Sequence, residues 1–89
     1  MFERTIRPTD LATMLGVSLK NKRPKALADA MAKVVPGFGG LGTFKKYNRK
    51  EYEVISYIMR RIDEERATLE QAINDAVDLY YRNTVLIFG

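Results

Sequence analysis

Prolines at positions 8, 24 and 36 and glycines at 16, 37, 39, 40 and 42 divide the first half of this chain into short pieces. Proline inside a helix removes a hydrogen bond and collides with the preceding turn, and glycine readily takes the left-handed conformation that ends a helix. Helices before residue 43 are therefore confined between these marks. Residues 2–7 alternate weakly and read as a short strand. Thr9 reads as an N-cap, with Asp10 in the favourable first turn. Leu11, Ala12 and Leu15 share a face with Met14 beside it, Gly16 closes the helix, and Val17 follows as a buried plug.

Residues 18–23 read two ways. Ser18 is a good cap, but Pro24 lies too close for a continuous helix from Leu19 and biases Arg23 away from helical angles. Either one helical turn ends near Lys22 or the segment is a loop. Pro24 suits the first position of the next helix, whose Leu27, Ala30, Met31 and Val34 recur at helical spacing and which should end before Pro36. The glycine-rich turn at 37–42 leads into a short alternating strand at 43–47, so that 34–47 reads as a hairpin-like wing.

Two capping boxes organise the second half. Asn48 and Glu51 open a helix with Val54, Ile55, Ile58, Met59 and Ile62 on one face. Thr68 and Gln71 open another, expected to bury Leu69, Ile73, Ala76, Val77 and Tyr80. Between them, the mixed charges at 60–66 fit an exposed, salt-laced helix end. The apolar end, Val85-Leu86-Ile87-Phe88, is expected to pack back on the core, to form a dimer seam, or to continue into a longer protein. The fold class expected is mainly α with a small β wing, about four helices in one domain over 1–89.

Charge is divided as sharply as structure. Residues 1–50 carry 11 Lys+Arg against 3 Asp+Glu, a net of +8, whereas residues 51–89 carry 4 against 8, a net of −4. This asymmetry suits a DNA-facing front half and a supporting or assembly back half. The 89 residues contain neither cysteine nor histidine, which removes disulfides, thiolates and imidazole bases and argues against structural zinc. No nucleophile–base pair or metal motif stands out, so neither an enzyme nor a cofactor is expected. The glycine-rich turn lacks the G-x-x-x-x-G-K-[ST] pattern of a phosphate cradle. No apolar run approaches the roughly 20 residues that span a bilayer. The opening residues also lack a signal-peptide pattern, which places the protein in the cytoplasm, with the nucleoid, as an expectation.

The candidate contact residues follow from chemistry. Ser18 caps the start of a reading segment. Lys20, Lys22, Arg23 and Lys25 are cations that neutralise phosphates, while Asn21 and Arg23 have the geometry to meet adenine and guanine edges. Lys45 and Lys46 lie at the wing, where they would grip flanking backbone. The leading expectation is double-stranded DNA binding. The alternative is a protein-interaction or dimerisation module without nucleic acid, using residues 69–88.

From Thr9-Asp10-Leu11-Ala12-Thr13-Met14-Leu15-Gly16-Val17-Ser18, through Thr43-Phe44-Lys45-Lys46-Tyr47-Asn48-Arg49-Lys50-Glu51, to Thr68-Leu69-Glu70-Gln71-Ala72-Ile73, the chain resembles the winged helix-turn-helix of MerR-like and phage excisionase proteins. The resemblance implies a second helix in the major groove, a wing on flanking backbone, and use as a dimer or cooperative array. It also implies a small bacterial, plasmid or phage transcriptional regulator, or a recombination or segregation factor. The stretch 18–36, interrupted by Pro24, is longer than a tight recognition unit of that family, and a long C-terminal coiled coil is missing.

Overall fold

The computed structural model describes residues 4–40 and 45–82. Four α-helices follow one another: α1 (Pro8–Leu15), α2 (Arg23–Val34), α3 (Arg49–Glu65) and α4 (Leu69–Val77). A π turn at Asp78–Arg82 continues α4. The fold is mainly helical, as its sequence periodicity implies. Helix α3 is the hub, packing against α2 on one side and α4 on the other, while α1 packs on α2.

Helix α1 starts two residues earlier than the expected Thr9 cap implies. Pro8, not Thr9, opens the helix, and the cap position falls to Arg7. Pro8 has no N–H to lose and its ring fixes a helical φ, so it takes the first position. Asp10 completes this end by accepting from the Arg7 backbone N–H at 3.3 Å and from its Nε at 3.2 Å. At the other end Gly16 takes φ +75°. The Gly16 N–H then reaches Thr13 O at 3.1 Å and the Val17 N–H reaches Ala12 O at 3.0 Å, which satisfies two carbonyls the helix leaves open. Val17 is half-buried rather than a sealed plug.

The two capping boxes form as read. Asn48 Oδ1 accepts from the Glu51 N–H at 2.8 Å while Glu51 Oε1 accepts from the Asn48 N–H at 2.9 Å. Thr68 and Gln71 exchange the same pair at 3.1 and 3.2 Å. The core gathers residues from all four helices: Leu11, Leu27, Met31, Val54, Ile55, Ile58, Ala72, Ile73 and Ala76 are buried together with Phe38 and Tyr47. Leu69, expected on the buried face of α4, is 46% exposed instead, because it occupies the first turn, outside the contact with α3. Arg61 links α3 to α4 by donating Nη2 to Asp75, while its Nη1 donates to Glu65 of α3 itself at 2.6 Å.

A β wing does not form within the described residues. The Val35 N–H closes α2 on Met31 O at 2.7 Å, and the Phe38 N–H bonds Val35 O at 3.1 Å, so residues 35–40 turn rather than extend. Tyr47 pairs with Ile6 in an isolated antiparallel bridge, with N···O distances of 3.0 and 2.7 Å. The weakly alternating N-terminal segment thus takes the place that a 34–47 hairpin would have given to Val34 and Val35. Positions 41–44 of the expected wing, and Phe2 and the apolar tail at 85–88, lie outside the described residues.

The same corner is fastened by one buried carboxylate. Glu51 is 3% exposed. Besides its capping bond it accepts from the Gly39 N–H at 2.9 Å and pairs with the Arg4 guanidinium. Arg4 also donates to Gly37 O at 3.0 Å and Lys46 O at 3.3 Å. Gly39 takes φ +81°, and a Cβ there would lie 3.1 Å from the Tyr47 ring, so this position needs glycine for both angle and room.

Tyrosines near this corner tie stability to alkaline pH. Burial raises the Tyr81 hydroxyl to about 12, and the Glu51 charge adds to the effect while Arg4 opposes it. Burial also raises Tyr47, with Asp29 and Glu51 contributing. Both folded-state values lie above the unfolded value near 10, so the folded chain holds these protons more tightly. Their contribution is complete below about pH 10 and is lost as pH rises towards about 12. The urea midpoint of the wild type should fall across that window. It should fall less steeply in Tyr81→Phe, a comparison in which the common lysine titration cancels.

Candidate nucleic-acid interface

The loop between α1 and α2 is a set of local side-chain turns. After Ser18 no helix begins: its Oγ accepts from the Lys20 N–H at 3.2 Å, and its carbonyl accepts from the Asn21 N–H at 3.0 Å. Of the two readings of this segment, the loop is the one that forms, and Ser18 caps a turn instead of a reading helix. The cap position of α2 falls to Lys22, which has no side-chain capping bond, and just before it Asn21 Oδ1 accepts from the Arg23 N–H at 2.8 Å in a local turn. Pro24 sits within the first turn of α2, where a missing N–H costs nothing.

Six of the expected contact residues converge. Lys20, Asn21, Lys22, Lys25, Lys45 and Lys46 line one open groove, joined by Arg7 from the start of α1. Its lining also includes Pro8, Leu11, Ala12, Pro24 and Tyr47, together with the exposed Leu19. Among the described residues no aspartate or glutamate lines it. At about 1040 Å³ and open to solvent, it stands at the upper end of the range of about 300–1,000 Å³ for clefts that enclose a small molecule. Lys20, Lys22, Lys25 and Lys46 are exposed, while Lys45 is half-buried and donates Nζ to Gly40 O at 3.0 Å.

The Ile6–Tyr47 bridge and the Glu51 corner create this convergence, because they bring residues 45–47 alongside the start of α1. Arg7 belongs to the groove and was not among the expected contacts. The signal available was its place directly before Pro8, which fixes it at the helix entry. The Arg7 hydrogen bonds hold the Asp10 carboxyl below the usual carboxylate range, so Asp10 stays ionised and offsets part of the Arg7 charge.

Two expected contacts stand apart from the groove. Ser18 is exposed and engaged with its own turn. Arg23 directs its guanidinium fork to helix α3, with Nη1 and Nη2 at 3.0 and 2.7 Å from the two Asp63 oxygens. The fork that would meet a guanine edge is therefore occupied within the protein. This bonding lowers the Asp63 pKa from its ordinary value, so the pair persists through the neutral range. Arg23 acts first as a strut fixing the start of α2 to α3.

No family model matches this chain, and no curated protein or solved structure does either. Among the described residues no group of three or more histidines, cysteines, aspartates or glutamates is placed to hold a metal ion, and no helix is long and apolar enough to cross a membrane.

A second, shallower recess lies on the outer face of α3. Arg49 stacks over Tyr52 at 5.5 Å, Arg60 approaches the Tyr57 ring at 6.0 Å, and Tyr57 meets Tyr80 edge-on at 5.8 Å. Glu53 also lines this recess, so its charges are mixed, unlike those of the groove.

Proposed function

We propose that this protein binds double-stranded DNA through the cationic groove between α1, the 18–22 loop and residues 45–47. The observation that carries the reading is the gathering of Arg7, Lys20, Lys22, Lys25, Lys45 and Lys46 around one opening with no acidic lining residue among the described residues. Duplex DNA presents dense phosphate charge, and each lysine or arginine that neutralises a phosphate releases a condensed counterion. In this reading the loop and the start of α2 face the major groove, and Lys45 and Lys46 hold the flanking backbone. The α1–Gly16 corner supports the resemblance to MerR-like and excisionase-like winged helix-turn-helix domains. The role that follows is a small bacterial, plasmid or phage regulator, or a recombination or segregation factor, working at the nucleoid. Leu69 and Leu79, 46% and 48% exposed, favour the 69–88 end as an assembly surface compatible with that role.

Titration of a fluorescent duplex at several salt concentrations tests the proposal. With about four to six phosphates neutralised, log K should fall against log salt with a slope between about −3.5 and −5.5. A flat salt response, or the absence of binding at low salt, refutes it.

A further inference from the structure

The groove contains one side chain that charge does not explain. Leu19 is 66% exposed, the most exposed of the large hydrophobic residues described. It stands at a turn held by the Asn21 N–H to Ser18 O bond, by the Lys20 N–H to Ser18 Oγ bond, and by the Arg23 N–H to Asn21 Oδ1 bond. The far end of that loop is fastened to α3 through Arg23 and Asp63. Leu19 is thus presented on a braced turn, which lowers the ordering cost of any contact it makes. Its sequence neighbours Lys20 and Lys22 line the same groove.

We propose that Leu19 is a specificity-determining residue that reads the C5-methyl group of thymine in the major groove. The inference rests on the DNA-binding reading. On the edges of the base pairs thymine methyl is the apolar group, and it faces the major groove, where aliphatic side chains meet it. An exposed leucine in the same groove as phosphate-seeking lysines is placed to bury that methyl while Lys20 and Lys22 hold the backbone. The contact gives the protein a preference for A·T pairs that the lysines, which sense only backbone, do not provide.

The test compares an alternating deoxyadenosine–thymidine duplex with the same duplex carrying deoxyuridine, which removes the methyl and leaves the hydrogen-bonding edges unchanged. The wild type should bind the thymine duplex about fourfold more tightly, the scale set by one buried methyl. Leu19→Ala should bind both duplexes equally with an unchanged salt slope, and Leu19→Met should keep the preference. Equal wild-type affinities for the two duplexes overturn the role of Leu19 while leaving salt-dependent DNA binding intact. So does a Leu19→Ala variant that retains the preference, or one that weakens equally on both duplexes. Failure of the wild type to show salt-dependent binding to either duplex overturns the DNA reading and this inference together.

Discussion

Glu51→Ala is expected to lower the unfolding free energy by about 3 kcal/mol, the scale for breaking one side of a buried, hydrogen-bonded ion pair. The Glu51 carboxylate receives the Asn48 N–H, the Gly39 N–H and the Arg4 guanidinium at a position 3% exposed. Truncation leaves two backbone donors without their acceptor, and a buried orphan donor costs about 1–3 kcal/mol. Arg4 suffers less, because its side chain is 35% exposed and can hydrate. Glu51→Gln keeps an acceptor oxygen and the helix cap while removing the charge, so its loss should be smaller. Urea unfolding at neutral pH measures both variants. Losses below about 1 kcal/mol in both would show that the carboxylate does not fasten this corner. Domains are typically stable by about 5–15 kcal/mol, so the expected effect is a substantial share of the total.

The second large effect is on binding. Replacing Lys20, Lys22, Lys45 and Lys46 together by alanine should weaken duplex binding about a thousandfold at ~0.1 M salt and flatten the salt slope by about 3 to 4. Three of these lysines are exposed and the fourth is half-buried, so helix content by circular dichroism should be retained. Arg49→Ala with Arg60→Ala, which removes two cations rather than four, is the control for charge elsewhere, since both arginines line the shallower α3 recess rather than the groove. It also lowers the net charge, yet affinity should stay within a few-fold. An equal loss in the control would mean that total charge, and not the groove, governs binding. Arg23 is left out of the set because removing it frees Asp63 and loosens the start of α2, which would mix folding with contact.

What the sequence made legible was local. The Asn48–Glu51 and Thr68–Gln71 boxes and the Gly16 ending depend on residues within a few positions of one another, and each formed as read. The apolar periodicity of α3 also placed Val54, Ile55 and Ile58 in the core. What escaped depended on distant partners or on competition between neighbours. Thr9 is a better capping residue than Arg7, but Pro8 beside it is better still as a first helical residue. Glu51 announced its capping role, whereas its bonds to Arg4 and Gly39 leave no spacing pattern. Arg23 and Asp63 are 40 positions apart, so a cation that looked free on the sequence is held by a carboxylate that looked like part of an exposed charge run. Lys20, Lys22 and Lys25 lie close together in sequence and line one groove, whereas the approach of Lys45 and Lys46 to them depends on the Ile6–Tyr47 bridge, which leaves no spacing pattern.

The Arg4 clasp bears on how the molecule comes into being. Arg4 meets Lys46 and Glu51 across sequence separations of 42 and 47, whereas the α1 corner and the loop after it close over only a few residues. Contacts between distant residues carry the larger loop-closure cost and tend to form late. On a ribosome the corner and the loop lysines would emerge and take shape while residues 45–51 were still in the exit tunnel. The incomplete chain would carry half of a cationic groove and no opposite wall. Capacity to grip a duplex would then arrive with the clasp, once the start of α3 is free to receive the N-terminal segment.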